Sequence, residues 1–206
     1  MLITDILQQK NDPERYSIFT DGEFCIGLSA ETVVVFGLKK GMEITGEMLC
    51  SIRSREDYSS ALACALEYAA RTSGKGARDF RVKLESKEYS AHTVNAVLER
   101  LEELGYVDDS ALARDIVSRC LEKGEGELMM RQKLKIKGID AQIINEVCDI
   151  DPELYVKAAL QSYDKAVERY GLEDRKARAK VYAALQRKGF GSEIINEVFN
   201  INDEDM

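Results

Sequence analysis

The chain has 206 residues, 45% hydrophobic and 32% charged, enough to bury one large core or several small ones. Only two prolines and no long polar tract argue against a mostly disordered chain. The sequence has no run of 18 apolar residues, and its start, MLITDILQQK, lacks the basic head and apolar block of a secretory leader, so a cytosolic location is expected. The net charge of −8 disfavours a protein whose main work is coating nucleic acid, since phosphate neutralisation drives such binding.

The first 57 residues read as a small β-containing unit. Arg15 to Phe19 and Glu23 to Leu28 are short β-prone runs joined by Thr20-Asp21-Gly22, and Asp-Gly between two such runs signals a hairpin. Leu2 to Leu7 is a candidate third strand. Thr32 to Leu38 fits a strand or a short helix, and Gly41 marks a turn.

From Tyr58 onward the apolar spacing is helical, with Leu62, Ala65, Leu66 and Ala69, then Val94, Val97, Leu98 and Leu101. A pattern then recurs three times. Phe80, Leu84, Lys87, Tyr89, Val94 and Val97 are matched without a gap by Met130, Leu134, Lys137, Ile139, Ile144 and Val147. Val181, Leu185, Lys188, Phe190, Ile195 and Val198 form the third set. Each copy predicts a helix, a tight turn and another helix. Gly138 and Gly189 suit the left-handed residue that closes the first helix, while Glu88 in the first copy should cost stability or bend the turn. Ser90, Asp140 and Gly191 sit where the next helix needs an N-cap. A further helix precedes each pair, at about 58–71, 109–123 and 152–170, the last opened by Asp151-Pro152.

The expected fold is therefore mainly α. A β-containing unit at 1–57 precedes three-helix repeats at 58–107, 108–150 and 151–201, with an acidic tail at 202–206. An elongated, curved array is expected, because each repeat packs mainly on its neighbours. Such an array suits binding.

Catalytic patterns are missing from the sequence. It has no Walker-type loop, and no Gly-x-Gly-x-x-Gly follows a predicted strand. His92, the only histidine, falls in the first turn of a helix, where a solvent-facing or capping role outweighs a Cys-His pair. Cys25, Cys50, Cys64, Cys120 and Cys148 are widely spaced with no Cys-x-x-Cys, so reduced thiols, mostly in the core, are expected. The chain reads as no enzyme, with no cofactor and no metal.

Charge is more informative. Residues 128–138 carry Arg131, Lys133, Lys135 and Lys137 without an acid, and 175–192 carry Arg175, Lys176, Arg178, Lys180, Arg187 and Lys188 without one. Residues 71–87 are also rich in Lys and Arg. Solvated faces of amphipathic helices are one explanation. A discontinuous positive ridge following a phosphate backbone or an acidic protein groove is the other.

Gly105-Tyr106-Val107-Asp108-Asp109-Ser110-Ala111-Leu112-Ala113 is similar to a signature of the RecX regulatory proteins. Arg119, Lys123-Gly124-Glu125-Gly126, Met130-Arg131-Gln132-Lys133-Leu134 and Lys137-Gly138-Ile139 resemble that family's central repeat, and Arg15–Phe19 with Asp21–Phe24 its extended amino end. Leu112 stands where the family usually has an aromatic, Gly76 where it often has Ser or Thr, and Glu127 where it often has a basic or neutral residue. The resemblance implies a tandem-repeat inhibitor of the RecA recombinase, acting in recombination, DNA repair and the SOS response. It would lie in the groove of the RecA–single-stranded DNA filament and lower its ATPase, extension and strand exchange. The candidate contacts it implies are Arg119, Lys123, Arg131, Lys133, Lys135 and Lys137, with RecA as the main partner and single-stranded DNA touched weakly or indirectly. A monomer without a membrane partner is expected. A sequence-specific helix-turn-helix repressor and a protein scaffold without nucleic-acid contact are the competing readings.

Overall fold

The computed structural model describes residues 1–71 and 73–204, without side chains at 203 and 204. Two compact units divide the chain: residues 1–73 with 80–103, and residues 74–79 with 104 onward.

The first unit opens with an antiparallel meander of β1 (Ile3–Gln8), β2 (Arg15–Thr20) and β3 (Glu23–Ser29), so the candidate third strand is present. At the β2–β3 turn both Asp21 (φ 53°) and Gly22 (φ 91°) are left-handed, the requirement of a type I′ hairpin. Thr32 to Val35 falls within a short helix, α1 (Ala30–Val35), opened by the Ser29 hydroxyl. Ile3, Ile18, Leu28, Leu38 and Ile44 form a core closed by Ile52 of α2 (Gly46–Arg71).

Helix α2 corrects the expected start near residue 58, since it begins twelve residues earlier, at Gly46. The polar run Ser51–Asp57 conceals this. Its Glu56 is buried, accepting from the Ser29 N–H (2.8 Å) and hydroxyl (3.0 Å) and pairing with Arg15 at 3.1 Å, which ties the helix to the sheet. Helix α4 (Ala91–Glu103) packs on α2, opened by Ser90 accepting from the Thr93 N–H at 3.2 Å. His92 is exposed, as expected.

Between them lies α3 (Ala77–Glu85), whose first turn belongs to the second unit and whose remainder belongs to the first. The second unit continues with α5 (Asp109–Glu122), α6 (Glu127–Lys137) and α7 (Ala141–Cys148), then α8 (Pro152–Tyr170), α9 (Arg175–Arg187) and α10 (Ser192–Glu204). Helix α10 runs into the acidic tail, whose last two residues, Asp205 and Met206, lie outside the described residues.

The triplicated positions are the cores of the helix pairs. Phe80, Leu84, Val94 and Val97 are buried, and so are all the apolar members of the second and third sets. Tyr89 is half-buried, its hydroxyl 3.0 Å from Ser60 Oγ. All three pairs turn through the same double bond, in which the left-handed residue donates to 85, 135 or 186 and the next donates to Leu84, Leu134 or Leu185. Glu88 adopts φ 64° and keeps both bonds (2.9 and 3.4 Å), so the turn is not bent differently from the glycine copies. Of the five cysteines only Cys120 and Cys148 are core residues; Cys25 and Cys64 are half-buried and Cys50 is exposed, which corrects the expectation that most would be inside.

Within the second unit, successive copies meet through a junction that itself repeats. The Arg78 guanidinium donates to the Ile136 carbonyl (2.8 Å) while its stem covers Gly138. One copy further on, the Gly126 N–H donates to Lys188 O (2.8 Å) and the Leu128 N–H to Gly189 O (3.0 Å). The start of one middle helix thus sits on the closing turn of the next. Gly76 lacks a capping side chain, but Asp109 of α5 supplies one, accepting from the Ala77 N–H at 2.9 Å. Leu112 is half-buried against the α5–α7 core, as a tolerated replacement for an aromatic would be.

Candidate partner interface

The six candidate residues lie on α5 and α6 and at the loop between them. Arg119 projects from α5 and pairs with Asp115 at 2.5 Å. Lys123 caps the carboxyl end of α5 and is exposed. Along α6 the four cations split between two sides, because residues two apart on a helix point nearly opposite ways while residues four apart share a face. Arg131 and Lys135 share one side and Lys133 and Lys137 the other.

Most of this charge is internally compensated. Arg131 donates from Nε to Glu127 (2.6 Å) and from Nη1 to Asn145 (2.8 Å), and the bond it donates to Glu127 raises its already high pKa. Lys133 pairs with Glu125, and Lys137 with Asp79 at 3.3 Å. Among the described residues, Lys123 and Lys135 make no ion pair. Net positive charge on α6 is therefore concentrated at Lys135.

Glu125 is the acid that sequence reasoning passed over, and its side chain is only 14% exposed. Burial works to raise its pKa, but hydrogen bonds from Lys133 and from the Cys120 thiol outweigh it and hold the carboxyl below its ordinary value. The same arrangement pushes Cys120 up to about 11, chiefly by burial and then by the carboxylate beside it, so the thiol stays protonated and unreactive. Burial likewise raises Cys148 and Tyr155, whose hydroxyl donates to the Cys148 carbonyl at 2.9 Å.

A carboxylate with a lowered pKa stabilises the fold above the ordinary carboxylate range, and that stabilisation is lost as pH falls through the lowered value. Lys133→Met, which takes from Glu125 the ammonium it is bonded to, should cost about 2 kcal/mol at neutral pH. The gap from the unsubstituted chain should close on acidification below the ordinary carboxylate range. Urea unfolding of both chains across that range reads it directly.

Sequence reasoning also passed over two apolar residues beside the candidates. Leu128 is 62% exposed and Ile136 66% exposed. Together with Arg78, Arg131, Gln132 and Lys135 they line an open groove of about 550 Å³. The period of α6 carries the signal, since Leu128, Gln132, Lys135 and Ile136 recur at i, i+4, i+7 and i+8, opposite the buried stripe of Met130 and Leu134. Arg131 also borders a cavity of about 690 Å³ with Glu127, Asn145, Cys148, Tyr155 and Ser192. Among the described residues no cluster of His, Cys, Asp and Glu could hold a metal ion, and no helix is long and apolar enough to cross a membrane.

Fold and face together define a tandem three-helix-repeat protein with a mixed apolar and cationic face on α6. Residues 1–45 match the family model for the regulatory protein RecX N-terminal domain, 108–147 that for the second three-helix domain of RecX, and 153–199 that for the third. The chain is 34% identical over 202 residues to the regulatory protein RecX of Clostridioides difficile (strain 630), covering 97% of this chain and 94% of that one. It is 28% identical to the regulatory protein RecX of Clostridium acetobutylicum, covering 98% of each. A crystal structure of regulatory protein RecX superposes with a TM-score of 0.76 at 25% identity, over 97% of this chain and 98% of that one. RecX from Lactobacillus salivarius, at 22% identity and a TM-score of 0.66 over 72% of this chain and 98% of that one, shares the fold. The chain belongs to the RecX family of regulatory proteins, and its role is that of a regulator.

Proposed function

We propose that the chain regulates homologous recombination by binding the RecA–single-stranded DNA filament in the cytoplasm and lowering its ATP hydrolysis, extension and strand exchange. The observation that carries the proposal is the α6 face, where exposed Leu128 and Ile136 stand among Arg78, Arg131 and Lys135. Ion pairing of Arg119, Arg131, Lys133 and Lys137 leaves this region few bare charges for phosphates, whereas apolar anchors rimmed by Arg and Lys suit an acidic, partly apolar protein surface. The main contact is thus with the recombinase protein.

ATP hydrolysis by RecA on single-stranded DNA tests this. The chain should lower the rate, and Leu128→Ser with Ile136→Ser should raise the concentration needed for half-inhibition by about tenfold, the loss expected of truncated anchors. No inhibition at micromolar excess sinks the proposal. A preference of orders of magnitude for one defined duplex would instead establish the repressor reading.

A further inference from the structure

The amino-terminal sheet turns Ile6, Ile18 and Ile26, which pair across its three strands, toward the core that Ile52 of α2 closes. The register sets Leu7 opposite Ser17 and Phe24 opposite Phe19 on the other face. There Phe24 is 61% and Leu7 54% exposed, and the Phe19 and Phe24 rings meet edge to face with centroids 5.9 Å apart. A sheet with one side on the core normally turns polar residues to water on the other, so this apolar face departs from the rule. Its surroundings are acidic. Residues 1–29 carry Asp5, Asp12, Glu14, Asp21 and Glu23 against Lys10 and Arg15, and Arg15 is committed to the buried Glu56 at 3.1 Å. Lys40 answers Asp5 at 2.6 Å, whereas Asp21 and Glu23, beside Phe24, make no ion pair among the described residues.

An occupant of this face has to be apolar and cationic. Phosphates and anionic lipid are repelled by the acidic rim, and the same face of another copy would set carboxylate against carboxylate. Helix α6 has the required chemistry, with exposed Leu128 and Ile136 beside Arg131 and Lys135. The spacing of the apolar anchors agrees as well. Eight residues of helix place Leu128 and Ile136 about 12 Å apart along the axis. Leu7 and Phe24 lie two strands apart, about 9.6 Å, and two residues apart along the strands, about 6.8 Å, again a diagonal of about 12 Å. We infer that the outer sheet face of one copy docks on the α6 face of a second copy. Because the two patches differ, the contact is head-to-tail and passes from copy to copy instead of closing on a two-fold axis. Two anchors a side make a small, transient contact, with dissociation in the range of about 10–100 μM. Self-association thus withholds the α6 face from other partners where the chain is concentrated. The inference shares that face with the proposed function but does not need RecA.

Sedimentation velocity of the full chain tests this. The average sedimentation coefficient should rise between about 1 and 200 μM, spanning the expected dissociation range. Leu7→Ser with Phe24→Ser in one chain, and Leu128→Ser with Ile136→Ser in another, should each weaken association by more than about tenfold. An equal mixture of the two should form dimers and nothing larger, since each chain keeps one working patch. Glu23→Lys and Lys135→Glu should each weaken association, and mixing these two chains should restore it. All the replaced side chains are exposed, so thermal midpoints should stay at the parent value. A parent chain that stays monomeric throughout overturns the inference. So does association that survives in either double variant, a mixture of them that stays monomeric or grows past dimers, or charge-reversed chains that associate no better together than alone. Self-association as described without inhibition of RecA overturns the proposed function alone, and RecA inhibition by a chain that never associates overturns this inference alone.

Discussion

Gly189→Ala should destabilise the chain by about 3 kcal/mol, read as a lower midpoint in urea unfolding. Two costs combine. Residue 189 holds φ +89°, where an L side chain costs about 1–2 kcal/mol, and an added Cβ would stand 2.5 Å from the Met129 backbone nitrogen, an overpacking worth about 1–3 kcal/mol. Backbone cannot swing aside as the Arg78 stem can at Gly138, where the contact is also 2.5 Å, so Gly138→Ala should cost less. Glu88→Gly is the informative counterpart. It relieves the left-handed strain at φ 64° but adds freedom to the unfolded chain, leaving a gain of about 0.5 kcal/mol. A loss below about 1 kcal/mol for Gly189→Ala would mean that the junction between copies yields.

Leu134→Ala and Leu185→Ala should each cost about 3–4 kcal/mol, because both side chains are wholly buried and neighbouring helices close only part of the void. Ile136→Ala, two residues from Leu134 but exposed, should change stability by less than about 0.5 kcal/mol. Thermal unfolding of the three variants checks the pattern. Similar losses at 134 and 185 would mark the two sites as the same position in a repeated design, and a small loss at either would show a core that collapses around the gap.

The repeats were legible because six positions recur in order, and each recurrence corresponds to a buried contact or a turn bond rather than to composition. The β2–β3 hairpin was legible from Asp21-Gly22 because few residues tolerate two successive left-handed conformations. The start of α2 was not, since before Tyr58 the helix buries only Ile52 and the charged Glu56, which carries little apolar rhythm. The candidate cations were readable as residues but not as charges. Glu127 lies one turn from Arg131 and could be paired by eye, whereas Glu125 lies eight residues from Lys133 and Asp79 fifty-eight from Lys137.

The junction between copies has a direction. Gly138 and Gly189 leave their turns bare for the copy before them, while Glu88 covers its own with an exposed side chain. Lengthening such a protein by gene duplication is consequently asymmetric. A further module spliced in after the third would need only a glycine of its own, whereas one spliced in ahead of the first would require residue 88 to mutate before it could dock.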